Sequence, residues 1–190
     1  VASVTAAGTL MTVAASRFAK AKDDVKSLLR AARYLSQILI PLSVMYVILL
    51  PIKPPTGHML AFLFATIGYA ILAMQFPSII FAYAALAASI GTVAYGLRVA
   101  ELPTEWYATV ASILALVYIF IGQHTQRIKT ESTIIPSYVK ALNITGLLLI
   151  CIGALSGFVF SLDSTKLWAG VIGMTLAALD LAICAYIFGN

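Results

Sequence analysis

The stretch that decides the fold reads YVKALNITGLLLICIGALSGFVF (138–160), SLDS (161–164) and TKLWAGVIGMTLAALDLAICAYIF (165–188). Two apolar runs thus flank a short polar turn. At about 1.5 Å of rise per residue, each run is long enough to cross about 30 Å of hydrocarbon as an α-helix. The stretch therefore predicts a hairpin of two membrane-spanning helices.

One acidic residue, Asp180, lies deep inside the second apolar run. An aspartate at the centre of a membrane helix costs about 3 kcal/mol, so its side chain is expected to face protein or water and to need a partner. Two interpretations stay open. Asp180 is either a protonated or hydrogen-bonded packing residue, or part of a proton-handling or ligand-binding site.

Small residues line one face of each helix of this hairpin, at the helical spacing of about 100° per residue. They are Gly146, Gly153 and Gly157 in the first helix and Ala169, Gly173 and Ala177 in the second. Folding the chain about Asp163 pairs Gly157 with Ala169, Gly153 with Gly173, and Gly146 with Asp180. Small residues at matched depths allow two membrane helices to approach closely. Asn143, one turn from Gly146, is then expected to hydrogen-bond Asp180.

The composition extends the membrane prediction to the whole chain. Of its 190 residues, 62% are hydrophobic and 10% are charged, whereas soluble domains are about half apolar and about one quarter charged. The chain is therefore expected to be an all-α, polytopic transmembrane helix bundle without a soluble domain. Six spans are predicted, at 34–52, 58–76, 79–97, 106–122, 138–160 and 165–188.

Residues 1–15 are apolar and mostly small, and they leave three interpretations open. They form the inner part of a seventh membrane helix, a helix on the membrane surface, or the remnant of a signal segment. We favour the membrane helix. The chain is then a single integral membrane domain over 1–190, with an N-terminal helix and a basic cytoplasmic segment (1–33) before a six-helix bundle (34–190).

Basic residues are concentrated on one side of the predicted topology. Of the 12 Lys and Arg residues, most lie on one side, which is therefore expected to be cytoplasmic together with the C-terminus. The net charge of the chain is +5. Because the basic residues are distributed as the positive-inside rule expects, this charge does not indicate nucleic acid as a partner. Segment 16–33 is either a simple topology determinant or a site for anionic lipid headgroups. Its basic residues are Arg17, Lys20, Lys22, Lys26, Arg30 and Arg33.

Motifs for cofactor chemistry are absent from the sequence. It contains no Cys-x-x-Cys, no His-Glu-x-x-His and no glycine-rich phosphate loop. His58 and His124 fall near opposite faces of the predicted membrane region, so an intrachain b-type haem is not expected and no metal site is indicated. We therefore predict a protein that is not an enzyme and has no cofactor.

Polar residues in the cytoplasmic half of the predicted bundle form a candidate intramembrane site. It comprises Asp180, Asn143, Gln75 and Lys140, with Gln37 near the inner end of its own span. These residues either line an inward-opening polar cavity or are unrelated residues at a wet interface. Lys140 reaches toward Asp180 in the first case and extends outward to the headgroups in the second.

The segment AYGLRVAELPTE (94–105) and the general layout of spans resemble those of a known family. This is an uncharacterised, mainly archaeal family of small polytopic membrane proteins, called domain of unknown function 981. The resemblance covers most of the chain as a pattern of spans, and in residues it covers the Tyr-Gly-x-Arg-like segment. It implies an archaeal plasma membrane and supplies no activity and no catalytic residues.

Two functions are compatible with these features. The first is a non-catalytic accessory or structural subunit of a larger membrane complex, such as a respiratory or other energy-converting one, with other integral membrane subunits as partners. It rests on the absence of cofactor motifs, the short loops and the many small residues. The second is a small proton-coupled transporter or channel using Asp180. We favour the first and expect a multi-pass protein of the plasma membrane.

Overall fold

The structure, a computed structural model, describes residues 5–10, 13, 34–35, 37–38, 40–42, 45, 49, 55–75, 78–127 and 135–189. Within these residues the secondary structure is helical and contains no strand. Five long helices follow one another along the chain. They are α1 (Pro55–Gln75), α2 (Ile79–Val99), α3 (Tyr107–Arg127, preceded by a 3-10 turn at Thr104–Trp106), α4 (Ile135–Ser161) and α5 (Leu167–Gly189).

All five helices are long and apolar enough to cross a membrane. The spans are Pro55–Met74, Ile79–Val99, Thr104–Gln126, Tyr138–Ser161 and Leu167–Phe188. The predicted all-α class is therefore confirmed for the described part of the chain, and five of the predicted spans correspond to membrane-length helices. The described positions within the predicted spans 1–15 and 34–52 are helical, and the basic segment 16–33 lies outside the described residues.

Several helix ends differ from the predicted ones. Helix α2 ends at Val99, α3 ends at Arg127 and α4 begins at Ile135, so these helices extend two to five residues beyond the predicted spans. The gap predicted between the spans 34–52 and 58–76 is too long, because α1 already begins at Pro55, and proline favours the first position of a helix. Helix α5 begins two residues later than expected. Asp163 Oδ1 accepts hydrogen bonds from the Thr165 amide at 3.0 Å and the Thr165 hydroxyl at 2.7 Å, which hold the chain in a turn.

The chain divides into two compact units, Val1–Ala100 and Glu101–Asn190. In the N-terminal unit, α1 and α2 pack together around a core that includes Ile40. Gly91 on α2 permits this contact, because a Cβ atom there would stand 2.5 Å from the Phe62 ring. The buried core residues are Ile40, Ala61, Phe62, Ala65, Tyr69, Leu72, Ala85 and Ala88.

Residues 5–10 also pack against α1 in the N-terminal unit. The Thr9 hydroxyl donates to the Phe64 carbonyl oxygen at 2.7 Å and to the Thr5 carbonyl oxygen of its own helix at 2.9 Å. A Cβ atom on Gly68 would stand 3.0 Å from Thr9 Oγ1. The N-terminal segment therefore lies beside the middle of α1.

The C-terminal unit is a bundle of α3, α4 and α5, in which each helix contacts the other two. Helix α4 runs antiparallel to both neighbours, so α3 and α5 run parallel. This arrangement brings residues from three helices to a common interior, and the candidate site lies there.

Candidate functional site

Glycines on α4 allow α3 to approach closely. A Cβ atom on Gly153 would stand 2.9 Å from Ser112 Oγ and 3.2 Å from the Ala108 carbonyl oxygen. A Cβ atom on Gly146 would stand 3.1 Å from the Ala115 carbonyl oxygen. Since these spaces are too narrow for a side chain, the backbones of α3 and α4 lie in close contact at both positions.

The tip of the α4–α5 hairpin is closed by three further glycines. A Cβ atom on Gly157 would stand 3.0 Å from the Gly170 carbonyl oxygen, and one on Gly173 would stand 3.7 Å from Gly157 Cα. A Cβ atom on Gly170 would overlap the Ser161 backbone nitrogen. The backbones of the two helices therefore touch at this end of the hairpin, where a close approach was expected.

The pairing of the small residues differs from the predicted one. Gly173 lies beside Gly157 instead of Gly153, and both Gly153 and Gly146 face α3 instead of α5. The reason is that α3 occupies the glycine face of α4. A prediction that folds two helices onto each other leaves out the competition from a third helix for the same face.

Asp180 is fully buried on the inner face of α5, at 0% exposure, together with Ala169 and Ala177. Neither of its carboxyl oxygens has a hydrogen-bond partner among the described residues. The polar side chain that faces it is Ser112 on α3. Ser112 is 1% exposed, and its hydroxyl oxygen also lacks a partner in that part of the chain. An acid and a hydroxyl group thus face each other without a hydrogen bond of good geometry.

Two other members of the predicted polar site, Asn143 and Lys140, lie away from Asp180 within the C-terminal unit. Asn143 faces α3, since a Cβ atom on Gly122 would stand 2.7 Å from Asn143 Oδ1. Asn143 therefore does not hydrogen-bond Asp180, whose oxygens lack a partner among the described residues. Lys140 is exposed on α4. Gln75 ends α1 in the N-terminal unit, and its side chain is not among those described.

Ser112 is the candidate residue that the sequence reading missed. It shares one face of α3 with Ala108 and Ala115, at the i, i+4, i+7 spacing of a helix. All three residues are buried. This stripe of small residues is the counterpart of the glycine face of α4. A search for complementary small faces across every pair of predicted helices would have found it.

Many hydroxyl groups elsewhere in the helices bond back to a carbonyl oxygen of the preceding turn. Thr125 Oγ1, for example, donates to the Ile121 carbonyl oxygen at 2.7 Å. The same bond occurs at Thr9, Thr66, Ser89, Thr92, Ser161 and Thr175. The hydroxyl oxygens of Ser112 and Thr109 are buried and make no such bond. Ser112 therefore forgoes a bond that its own helix offers at the Ala108 carbonyl oxygen.

The surroundings of Asp180 contain few titratable groups. Cys184 lies one turn later on the same face of α5, where it is buried and interacts electrostatically with the carboxyl group. No charged side chain of the described part of α3 or α4 acts on Asp180. Within the described ranges, no group of three or more His, Cys, Asp or Glu side chains is arranged to hold a metal ion.

This arrangement limits the chemical state of the carboxyl group. An ionised carboxyl without a partner is an uncompensated buried charge, which costs several kcal/mol in apolar surroundings. Asp180 is therefore neutralised by a proton on one oxygen or by a bound cation. Ser112 is the polar side chain beside the carboxyl group among the described residues, so the arrangement is suited to holding one small positive charge.

A second cluster of polar and aromatic side chains lies in the N-terminal unit. The buried His58 ring of α1 stacks on the Tyr95 ring of α2, with ring centroids 4.9 Å apart. Phe62 stacks on the same ring at 5.5 Å, and the Arg98 guanidinium carbon lies 5.3 Å from its centroid. The stack connects the beginning of α1 to the end of α2, with the cation at its exposed end.

Comparison of the chain with protein-family models, with curated proteins and with solved structures gives no match. The resemblance of segment 94–105 to the archaeal family stays a prediction. The geometry of the two units is therefore the basis on which a function is argued.

Proposed function

We propose that this chain is a non-catalytic, multi-pass subunit that packs against other integral membrane proteins in a larger complex of the plasma membrane, such as an energy-converting one. The observation that carries this proposal is an exposed face of small residues on α5, opposite the buried face that holds Asp180. We call it the outer α5 face. It comprises Val171, Thr175, Ala178, Ala182 and Ala185, all of them exposed.

Large exposed side chains border the outer α5 face on both sides. They are Trp168, Leu179 and Tyr186 on one side and Met174, Leu181 and Phe188 on the other. A strip of small residues between two ridges forms a groove that accepts the ridge of another helix. Close van der Waals packing at small residues is a main source of association between membrane helices. These features support a helix of another subunit as the neighbour of α5.

Copurification of the whole chain in mild detergent, with a variant that fills the groove, tests this proposal. Ala182→Phe is expected to lose the partner chains that accompany the unaltered protein in a fixed ratio, because a large side chain blocks the close approach. Leu179→Phe is the matched control, since it keeps a large residue on the bordering ridge. A stable monomer, or partners retained by Ala182→Phe, would contradict the proposal.

We further propose a topology in which the basic segment and the C-terminus are cytoplasmic. Its basic residues would contact anionic lipid headgroups. The bond from Thr9 to the middle of α1 supports the N-terminal segment as a seventh span. Exposed Trp106 and Trp168 at the beginning of two spans support an interface on the opposite side. Labelling of single cysteines introduced at 22 and 164 from either side of intact cells tests this orientation.

A second candidate function, a small proton-coupled transporter or channel, is favoured by the buried Asp180 facing Ser112 without a hydrogen bond. A carboxyl group that serves only packing is usually hydrogen-bonded. Asp180→Asn is expected to abolish proton flux into liposomes while the protein still folds. Flux that is unchanged in this variant would remove the candidate.

A further inference from the structure

Two oxygen-bearing side chains face each other between α3 and α5 in the C-terminal unit. They belong to Asp180 and Ser112, which are almost completely buried. The side-chain oxygens of both residues have no hydrogen-bond partner in the described part of the chain. The hydroxyl oxygen of Thr109 also lacks a partner there, but Thr109 lies beside Gly173 of α5, about two helical turns before Asp180.

We propose that Asp180 and Ser112 form a binding site for a monovalent cation, either a proton or Na⁺. Carboxyl and hydroxyl oxygens are the ligands that hard cations prefer. One carboxylate balances one positive charge, whereas a divalent ion would leave a net charge in the membrane interior. Ser112 makes no bond to its own helix, which leaves its oxygen available to the cation.

Gly153 makes room for this site from the third helix. A Cβ atom there would stand 2.9 Å from Ser112 Oγ, so a larger residue would push the hydroxyl group out of its position. The Ala108 carbonyl oxygen, 3.2 Å from the same Cβ position, adds a main-chain acceptor beside the hydroxyl group. Helix α4 thus contributes space and α3 contributes oxygens, while α5 contributes the negative charge.

The proposal of cation binding rests on the second candidate function, a small proton-coupled transporter or channel, and names the class of ion that such a protein would bind. It goes beyond the assembly role, because a subunit that only packs has no need of an exchangeable charge. Binding is therefore measured instead of flux. An occupied site in a protein that moves no protons would remove transport and leave the binding proposal intact.

Infrared spectroscopy of the whole chain in detergent tests the proposal, because a protonated carboxyl group has its own carbonyl stretching band. The band of Asp180 is identified as the one that Asp180→Asn removes. Its intensity is followed over a pH series in sodium chloride and in choline chloride. We expect the band to disappear as the pH rises. A further loss in sodium at constant pH identifies Na⁺ as a ligand, and no difference between the salts identifies the proton alone.

One variant tests whether the hydroxyl group takes part. Ser112→Ala is expected to change the sodium concentration or the proton concentration at half-intensity by about tenfold, the usual effect of losing one bond to a charged group. Thr125→Val on the same helix is the matched control, because the Thr125 hydroxyl is bonded to its own helix. It is expected to leave the midpoint unchanged.

Three results would overturn the proposal. A band that keeps its intensity at every pH and in both salts would make Asp180 a permanently neutral packing residue. The absence of any band that Asp180→Asn removes would mean that no proton exchanges at this position. A midpoint unaffected by Ser112→Ala, with thermal unfolding showing that the variant is folded, would mean that the Ser112 hydroxyl group is not a ligand.

Discussion

The two units of the chain treat their buried polar groups in opposite ways. In the N-terminal unit, Thr9 donates to two carbonyl oxygens. Thr66 donates to its own helix and lies 3.5 Å from the Thr92 hydroxyl oxygen. In the C-terminal unit, five buried side-chain oxygens of the described residues have no partner. Since buried polar groups are normally bonded, the first unit uses these hydroxyl groups for structure, whereas the second leaves the buried hydroxyl groups of Ser112 and Thr109 without a bond to the described residues.

The two units also differ in what lies against their glycines. In the N-terminal unit, the space beside Gly68 is limited by the end of the Ile40 side chain, 2.7 Å from a Cβ position. In the C-terminal unit, the space beside Gly157 and Gly170 is limited by backbone atoms. A side chain can rotate away, but a helix backbone cannot move alone. The second unit therefore has less freedom to adapt, and its polar interior is held more rigidly.

The largest expected effect tests the second difference, between glycines that contact a side chain and glycines that contact a backbone. Gly170→Ala would place a Cβ atom against the Ser161 backbone nitrogen, and we expect it to lower the stability of the C-terminal unit by about 3 kcal/mol. Gly68→Ala should cost less than about 1 kcal/mol, because the Ile40 side chain can change rotamer. Gly57→Ala is the control, since nothing lies within 4 Å of its Cβ position. Thermal unfolding in detergent measures all three, and equal losses at 68 and 170 would contradict the comparison.

Two hydroxyl deletions with different expected effects on stability test the first difference, which concerns the bonding of buried hydroxyl groups. Thr9→Val removes a donor with two acceptors and is expected to destabilise the protein by about 1 kcal/mol. Ser112→Ala removes a buried hydroxyl without a partner. In sodium-free buffer, at a pH above that at which the Asp180 band disappears, the cation site is empty and the stability should stay the same or rise by up to about 1 kcal/mol. Chemical or thermal unfolding gives both values. A loss at Ser112 as large as that at Thr9 would show that this hydroxyl is bonded after all.

The smallest expected effect compares the two aspartates of the α4–α5 hairpin. The Thr165 hydroxyl and amide, helped by Lys166, hold the pKa of Asp163 below its ordinary value. The stabilisation is therefore complete above the ordinary pKa of aspartate and is lost as the pH falls through the lowered one. Thr165→Ala should raise the pKa of Asp163 toward its ordinary value.

Titration of the Asp163 carboxyl carbon by nuclear magnetic resonance, in micelles, measures this change. Lys166→Gln is the control and should raise the pKa less, because the lysine contributes less than Thr165. An unchanged titration in Thr165→Ala would show that the turn does not depend on these hydrogen bonds. In contrast to Asp180, Asp163 lies in an exposed turn, where salt screens the effect of the lysine.

Much of the helical layout could be predicted from the sequence, because apolar runs of membrane length separated by polar turns give a strong signal. The burial of Asp180 and the close approach at Gly157 and Gly173 also followed from helical spacing. Helix ends were less accurate. Local capping decides them, as Pro55 does at the beginning of α1 and as the hydrogen bonds of Asp163 do before α5.

The partners of each helix face could not be predicted in the same way. In a soluble helix the polar residues mark the exposed side, so the opposite side can be identified as buried. A membrane helix is apolar all round and gives no such indication. Glycine faces then show that something packs closely, without showing which helix it is. Gly153 and Gly146 were therefore assigned to α5 although they face α3. Ser112 was missed because the stripe of small residues that it shares with Ala108 and Ala115 indicates close packing, without indicating that the serine in it faces an acid.

Thr9 has two acceptors at very different distances along the chain, one 4 residues away and the other 55. The hydroxyl group has a single proton, which is shared between the two carbonyl oxygens. The bond to α1 therefore does not require Thr9 to lose the bond within its own helix turn. If the two segments move apart, the hydroxyl group keeps an acceptor, so the contact can open without leaving an unbonded polar group.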